Sequence, residues 1–243
     1  MSQATHRLVL VVEGPSDERR ARILLDHWIL EQVDWVDAST LDTYRHYTGL
    51  ELGEEWLDLH DIPKLARAQR LRPSGHGEAW LVRGLLLPLL LEKHRRARLQ
   101  GDESLVVVYL RDTDGFPERQ PQAERGATGL LGTSALSWLP GFPHEAMEAW
   151  VLLGWLPGDE AERAAHQAAM KALSFDPLKT PHTLSHKENV PKSAKALLER
   201  LGVDHTREET CLARAADRED DTAEQCGLGA FRRKVLVWLH RTT

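Results

Sequence analysis

Three carboxylates stand at the ends of two apolar runs. Glu13 follows Arg7–Val12 (RLVLVV), and Asp112 and Asp114 follow Ser104–Leu110 (SLVVVYL) in Arg111-Asp112-Thr113-Asp114-Gly115. In an extended chain residues i and i+2 point the same way, so the two aspartates can face one ligand. If Glu13 joins them, like charges that close are not all comfortably ionised without a cation. Hard oxygen donors, with no cysteine or histidine at metal spacing, favour Mg²⁺ or Mn²⁺ over zinc. Asp-x-Asp-Gly is also common turn chemistry. The metal reading is favoured because an acid ends each of two runs of the buried-strand type.

The surrounding elements would have to place those ends side by side. A continuous apolar run suits a strand buried on both faces of a parallel sheet, and sites in such sheets lie outside the carboxyl ends of the strands. Arg7–Val12 and Ser104–Leu110 are therefore expected to be adjacent parallel strands. After Glu13-Gly14-Pro15, Ser16 or Asp17 is expected to cap a helix from Glu18 to about Leu30, with Ala21, Leu24, Leu25 and Trp28 at helical spacing. Residues 32–77 read as an insertion with a short helix near Pro63–Gln69, and Glu78–Leu99 reads as a helix with a basic end. Residues 117–137 read as partly loop. Glu145–Leu153 reads as a helix, which would put Glu145 and Glu148 on one face, with Glu148 the better second-metal ligand or general base. Both also suit the exposed first turn of a helix, where the dipole favours acids.

Beyond Trp155 the pattern is helical at Asp159–Leu173, Lys192–Leu201 and Phe231–His240. The division expected is an α/β metal-binding domain over 1–154 and a mainly helical extension over 155–243. The tryptophans Trp28, Trp80, Trp150 and Trp238 fall at apolar helical positions and read as packing residues. His182-x-x-x-His186 follows Pro181 in polar surroundings and reads as loop rather than ligand pair. Gly75-His76-Gly77 lacks the preceding strand of a dinucleotide fingerprint, and no Gly-x-x-x-x-Gly-Lys phosphate loop is present.

The chain has 243 residues and a formal net charge of −6. A protein that grips nucleic acid unaided usually carries a basic excess, so a metal site, a local basic patch or a partner would have to supply the attraction. The clearest basic clusters are Lys93–Arg98 and Arg232–Lys234. Two scattered cysteines, Cys211 and Cys226, suit a reducing, cytoplasmic setting. No signal peptide is expected, and the longest apolar stretch, Leu85–Leu91, is too short for a membrane span.

Val11-Val12-Glu13-Gly14-Pro15-Ser16-Asp17 and Leu110-Arg111-Asp112-Thr113-Asp114-Gly115 together resemble the two signature motifs of Toprim domains, the family of topoisomerases, bacterial primases and overcoming-lysogenization-defect nucleases. The resemblance implies a short parallel sheet flanked by helices, with Glu13, Asp112 and Asp114 holding Mg²⁺ or Mn²⁺. The Glu-Gly-x-x-Asp form is closest to the nuclease branch, where Asp17 would also serve a metal. Pro143–Trp150 resembles an acid-rich segment of small stand-alone Toprim proteins, many of them beside prokaryotic defence genes. By the same resemblance, a lysine after that segment, Lys187 or Lys192, would take a catalytic role, though both also read as solvated. Arg111 abuts the Asp pair, but strand alternation turns it away, toward a buried-face ion pair or the surface.

These implications add up to a metal-dependent nuclease acting on DNA or RNA, the effector of an antiphage system, recruited by a partner such as an ATPase. The alternative from another class is a non-catalytic binding or regulatory subunit. The chain lacks the strand-gating domains of a topoisomerase and the added modules of a primase.

Overall fold

A computed structural model of the chain describes residues 6–50, 53–100, 104–131 and 136–242, with the backbone alone for 94–100. The chain runs β1 (His6–Val12), α1 (Pro15–Gln32), α2 (Leu41–Tyr44), β2 (Arg45–Thr48), β3 (Leu57–Asp58), α3 (Ile62–Ala68), α4 (Gly77–Gln100), β4 (Ser104–Leu110), α5 (Arg119–Ala127) and β5 (Leu136–Gly141). It continues through α6 (Glu148–Leu153), α7 (Glu160–Leu173), α8 (Ala194–Arg200), α9 (His205–Ala216), α10 (Asp221–Gln225) and α11 (Leu228–Thr242).

All strand pairs are parallel, in the order β2-β1-β4-β5, with β3 on the β2 side of β1 further along that strand. β1 and β4 are neighbours in register, Leu8 opposite Val106 and Val11 opposite Tyr109. The unbroken apolar runs are explained by what covers them. Leu8, Leu10 and Val12 join Val106, Val108 and Leu110 in one buried cluster with α1, α6, α9 and α11. Val9, Val11, Val107 and Tyr109 point the other way, into a cluster with α3, α4 and α5. Both faces of the central strands are buried, as a parallel sheet demands. The fold is α/β, a parallel sheet between two helical layers with a helical C-terminal part.

That C-terminal part shares the first cluster: Leu197, Cys211, Leu212, Phe231 and Trp238 lie in the same core as Leu24, Trp28 and Trp150. Trp28 Nε1 donates to Ala216 O at 3.1 Å and Trp150 Nε1 to Cys226 O at 2.7 Å, so each indole is both buried and satisfied. α6 meets α9 at Gly154, where an added Cβ would stand 1.8 Å from Cys211 O.

Several elements differ from the sequence expectation. The 32–77 stretch supplies two strands of the sheet. β2, Arg45-His46-Tyr47-Thr48, is an edge strand, and Arg45 is tied to Asp26 at 2.7 and 2.8 Å. Its polarity hides it from a search for apolar runs. β5 (Leu136–Gly141) carries Pro140, tolerated because the strand is at the sheet's other edge. α5 occupies 119–127 despite Pro121 and Gly126. α1 begins earlier than expected, with Pro15 in its first turn and Gly14 as a cap that offers no side chain. Asp17 is therefore not a cap. The side chains 94–98 of the basic end of α4 lie outside the described residues. Among the described residues no helix is long and apolar enough to cross a membrane.

Candidate functional site

Because β1 and β4 run side by side, their ends meet at one edge of the sheet. A cleft of about 670 Å³ opens there, lined by all five acids singled out as metal ligands: Glu13, Asp17, Asp112, Asp114 and Glu148. α1 brings Asp17 in its first turn, and α6 brings Glu148 as its first residue.

The loops after β4 and β5 extend the pairing of those strands. Thr113 N donates to Pro143 O at 3.0 Å, Glu145 N to Thr113 Oγ1 at 2.7 Å, and Asp114 N to Glu145 O at 3.3 Å. Asp114 and Glu145 both take left-handed backbone, φ +49° and +64°, followed in the first case by Gly115 at +76°. For non-glycine residues this conformation is uncommon, and strained backbone held by its surroundings clusters at functional sites. The left-handed turn at Glu145 also corrects the expected helix over Glu145–Leu153. The helix starts only at Glu148, so the two glutamates do not share a helical face. Glu145 instead pairs with His186 Nδ1 at 2.9 Å.

Three arginines are threaded among the acids. Arg20, buried on α1, donates to Glu148 at 2.9 Å, to Asp17 at 3.4 Å and, by a short bond, to Glu208 of α9. Glu208 also accepts from Arg19 at 2.5 Å. Arg119 donates to Asp114 Oδ2 and to Asp112 O, both at 2.5 Å. Arg111 Nη1 lies 3.1 Å from Glu13 Oε1, with its Nε 3.6 Å from the buried Glu78, which accepts a short hydrogen bond from Tyr109. Alternation does turn Arg111 from Asp112. The register that pairs Val11 with Tyr109 points it to Glu13 instead.

Asp112 is the exception. Among the described residues no hydrogen bond or ion pair reaches its carboxyl. Burial raises its pKa well above the usual range, and Asp17, Glu148, Glu13 and Asp114 raise it further. Burial also raises Glu13, against the pull of Arg111. Asp17 is pushed from 3.8 up to about 6 by burial, opposed by Arg20 and reinforced by Glu148 and Glu13. Arg20 shows the converse: burial would lower it, but Glu148 and Glu208 outweigh that and raise it. Perturbed groups in a cleft are the pattern expected of a functional site.

The donor set suits a hard cation: oxygen only, with one carboxyl, that of Asp112, without a partner. Among the described residues the set of three donors within 4.8 Å of one another is His27, Glu31 and Asp217, not the cleft acids. In that set His27 Nε2 is hydrogen-bonded to Asp217 at 2.7 Å, and the two acids are exposed, as in an ordinary surface ion pair.

Lys187 and Lys192 do not line the cleft; Lys192 Nζ sits 5.2 Å over the Phe175 ring. The lysine that does line it is Lys195, paired with Glu188 at 2.7 Å. Sequence reasoning also passed over Arg20, Arg119 and Glu208. Arg119 carried no signal, and Glu208 stood in a stretch with the composition of a solvated face. Arg20, three residues after Asp17, was visible as an i, i+3 pair. No protein-family model, curated protein or solved structure matches the chain.

Proposed function

We propose that this chain is a divalent-metal-dependent phosphodiesterase acting on DNA or RNA. The observation that carries the reading is the convergence of Glu13, Asp17, Asp112, Asp114 and Glu148 on one cleft at the ends of two adjacent parallel strands. The resemblance of the two strand-end motifs to Toprim nucleases supports the same reading. It extends it to a cytoplasmic effector that a partner brings to its substrate, as the net charge of −6 would require.

Mg²⁺ or Mn²⁺ bound here would supply Lewis acidity to the attacking and leaving oxygens. Glu13, Asp112 and Asp114 would hold one ion, with Asp17 and Glu148 completing a second site. The chain's own work is to orient these groups. Arg20, anchored by Glu208, fixes Asp17 and Glu148. Arg111, anchored by Glu78, fixes Glu13, and Arg119 fixes Asp114. The arginines keep the acids compensated before a cation arrives and would then face a bound phosphate, the ligand their geometry suits. That compensation equally suits the second reading, a binding subunit without catalysis.

The deciding experiment is cleavage of mixed single- and double-stranded DNA and RNA with Mg²⁺ or Mn²⁺, against Asp112→Asn. Asn keeps the size and removes the charge, so activity should fall by at least ~10²-fold. Glu148→Gln should impair cleavage more than Glu145→Gln, because Glu148 faces the acids across Arg20 while Glu145 is occupied by His186. Wild-type rates in Asp112→Asn, or cleavage indifferent to a chelator, would refute the metal reading.

A further inference from the structure

A second groove, of about 660 Å³, is lined by Gly75–Gly77 and the start of α4, with Arg111, Phe116, Arg119 and Gln122 closing it. Arg111 and Arg119 line this groove, and each contacts an acid of the cleft, Glu13 and Asp114 respectively. Those two ion pairs link the groove to the cleft.

Its most exposed apolar member is Phe116, 53% exposed, immediately after Asp114-Gly115. The ring is not on a loose loop. Phe116 N donates to Thr113 O at 2.7 Å and Phe116 O accepts from Arg119 N at 3.0 Å, so its backbone is held on both sides. The Arg119 guanidinium lies 5.2 Å from the ring centroid. Trp80, which reads from sequence as a core residue, is only partly buried and lines the same groove.

We infer that this groove receives the base of an unpaired nucleotide flanking the scissile phosphate, stacked on Phe116, with the adjoining phosphate on Arg111 and Arg119. The inference rests on the phosphodiesterase reading and narrows its substrate to single-stranded or locally opened polynucleotide. A base within a duplex has its faces covered by its neighbours and offers none to Phe116; an unpaired one does, whatever its identity. An arginine beside an aromatic ring is the combination that holds a stacked base and its phosphate together. The groove also holds Glu78 and Glu118. Glu78 is already engaged by Arg111 and Tyr109. Glu118 disfavours a second phosphate there and suits the amino edge of a base.

The test is fluorescence anisotropy at low salt, with the full chain in chelator so that cleavage plays no part. The probes are a labelled single-stranded DNA oligonucleotide and the same sequence as duplex. Phe116→Ala should weaken single-strand binding about ten-fold, within the range for loss of one stacked base. Phe116→Trp should restore it, and duplex binding should stay unchanged. Unaltered single-strand binding in Phe116→Ala, equal losses on both probes, or a wild-type chain without single-strand preference would overturn the inference. Metal-dependent cleavage with Phe116-independent binding would sink this inference and leave the catalytic reading standing. Phe116-dependent binding without metal-dependent cleavage would sink the phosphodiesterase reading, and with it the scissile phosphate, leaving a single-strand binding site.

Discussion

Asp17→Asn should make the protein more stable at neutral pH and leave it nearly unchanged at acid pH. Asp17 sits in the first turn of α1 with its carboxylate in the cleft, and its pKa is raised from 3.8 to about 6, first by burial and then by Glu148 and Glu13, against Arg20. A raised folded-state pKa means that the group's stabilising contribution is complete below the unfolded value near 4 and is lost as pH rises through about 6. A gap of about two units corresponds to roughly 3 kcal/mol at 1.36 kcal/mol per unit, an upper value because the site can relax and admit water. In a chain of this size each kcal/mol moves the thermal midpoint by about 2–4 °C. The asparagine variant, blind to this titration, should melt several degrees above wild type at pH 7.5 and within about a degree of it at pH 4.

The assay is thermal unfolding of both proteins across pH 4–8, scored as the difference between them, because other carboxylates titrate identically in each. Asp220, where burial is outweighed by its backbone hydrogen bonds and Arg218, and Glu224, held by Arg233, both lie below their usual range, lose stability on acidification in both chains and cancel. Mg²⁺ should narrow the gap at pH 7.5, since a cation relieves in wild type what the substitution removes. A difference independent of pH, or a variant less stable than wild type at pH 7.5, would refute the account of Asp17 as a crowded, buried acid.

Glu208→Ala should cost about 3–5 kcal/mol, because it leaves the guanidinium of Arg20 buried with its remaining partners misaligned. Denaturant unfolding measures it, and Glu208→Gln, which keeps an oxygen acceptor for Arg20, should cost less. Gly154→Ala should cost at least ~3 kcal/mol or prevent folding, since its Cβ would meet Cys211 O at 1.8 Å and α6 would have to part from α9. A Gly154→Ala midpoint within a degree or two of wild type would contradict the close approach of those helices.

What was legible in the sequence follows physical lines. β1 and β4 are readable because burial on both faces leaves them no polar residue after their first positions, and their acids are readable because they interrupt that rule where the strands end. The edge strands are not, since β2 satisfies Arg45 through Asp26 and β5 tolerates Pro140 on its free side. The Glu145–Glu148 pair misled for a different reason. Helical spacing was inferred from composition, whereas the left-handed turn at Glu145 is fixed by Thr113 Oγ1 and Asp114 N, partners more than 30 residues away.

The same distinction explains why the acids were found and their counter-ions were not. A carboxylate at the end of an apolar strand is exceptional in its local context, so a short window detects it. Arg20 and Glu208 are ordinary helical residues in their own windows, and only packing α9 against α1 buries them together, 188 positions apart. A buried charge pair is costly to desolvate and gives little net stability, so it contributes more to positioning than to holding the fold. Here it stands directly behind Asp17 and Glu148. The C-terminal helices are therefore part of the site: they supply Glu208, which holds Arg20 in place against the two acids of the proposed second metal position.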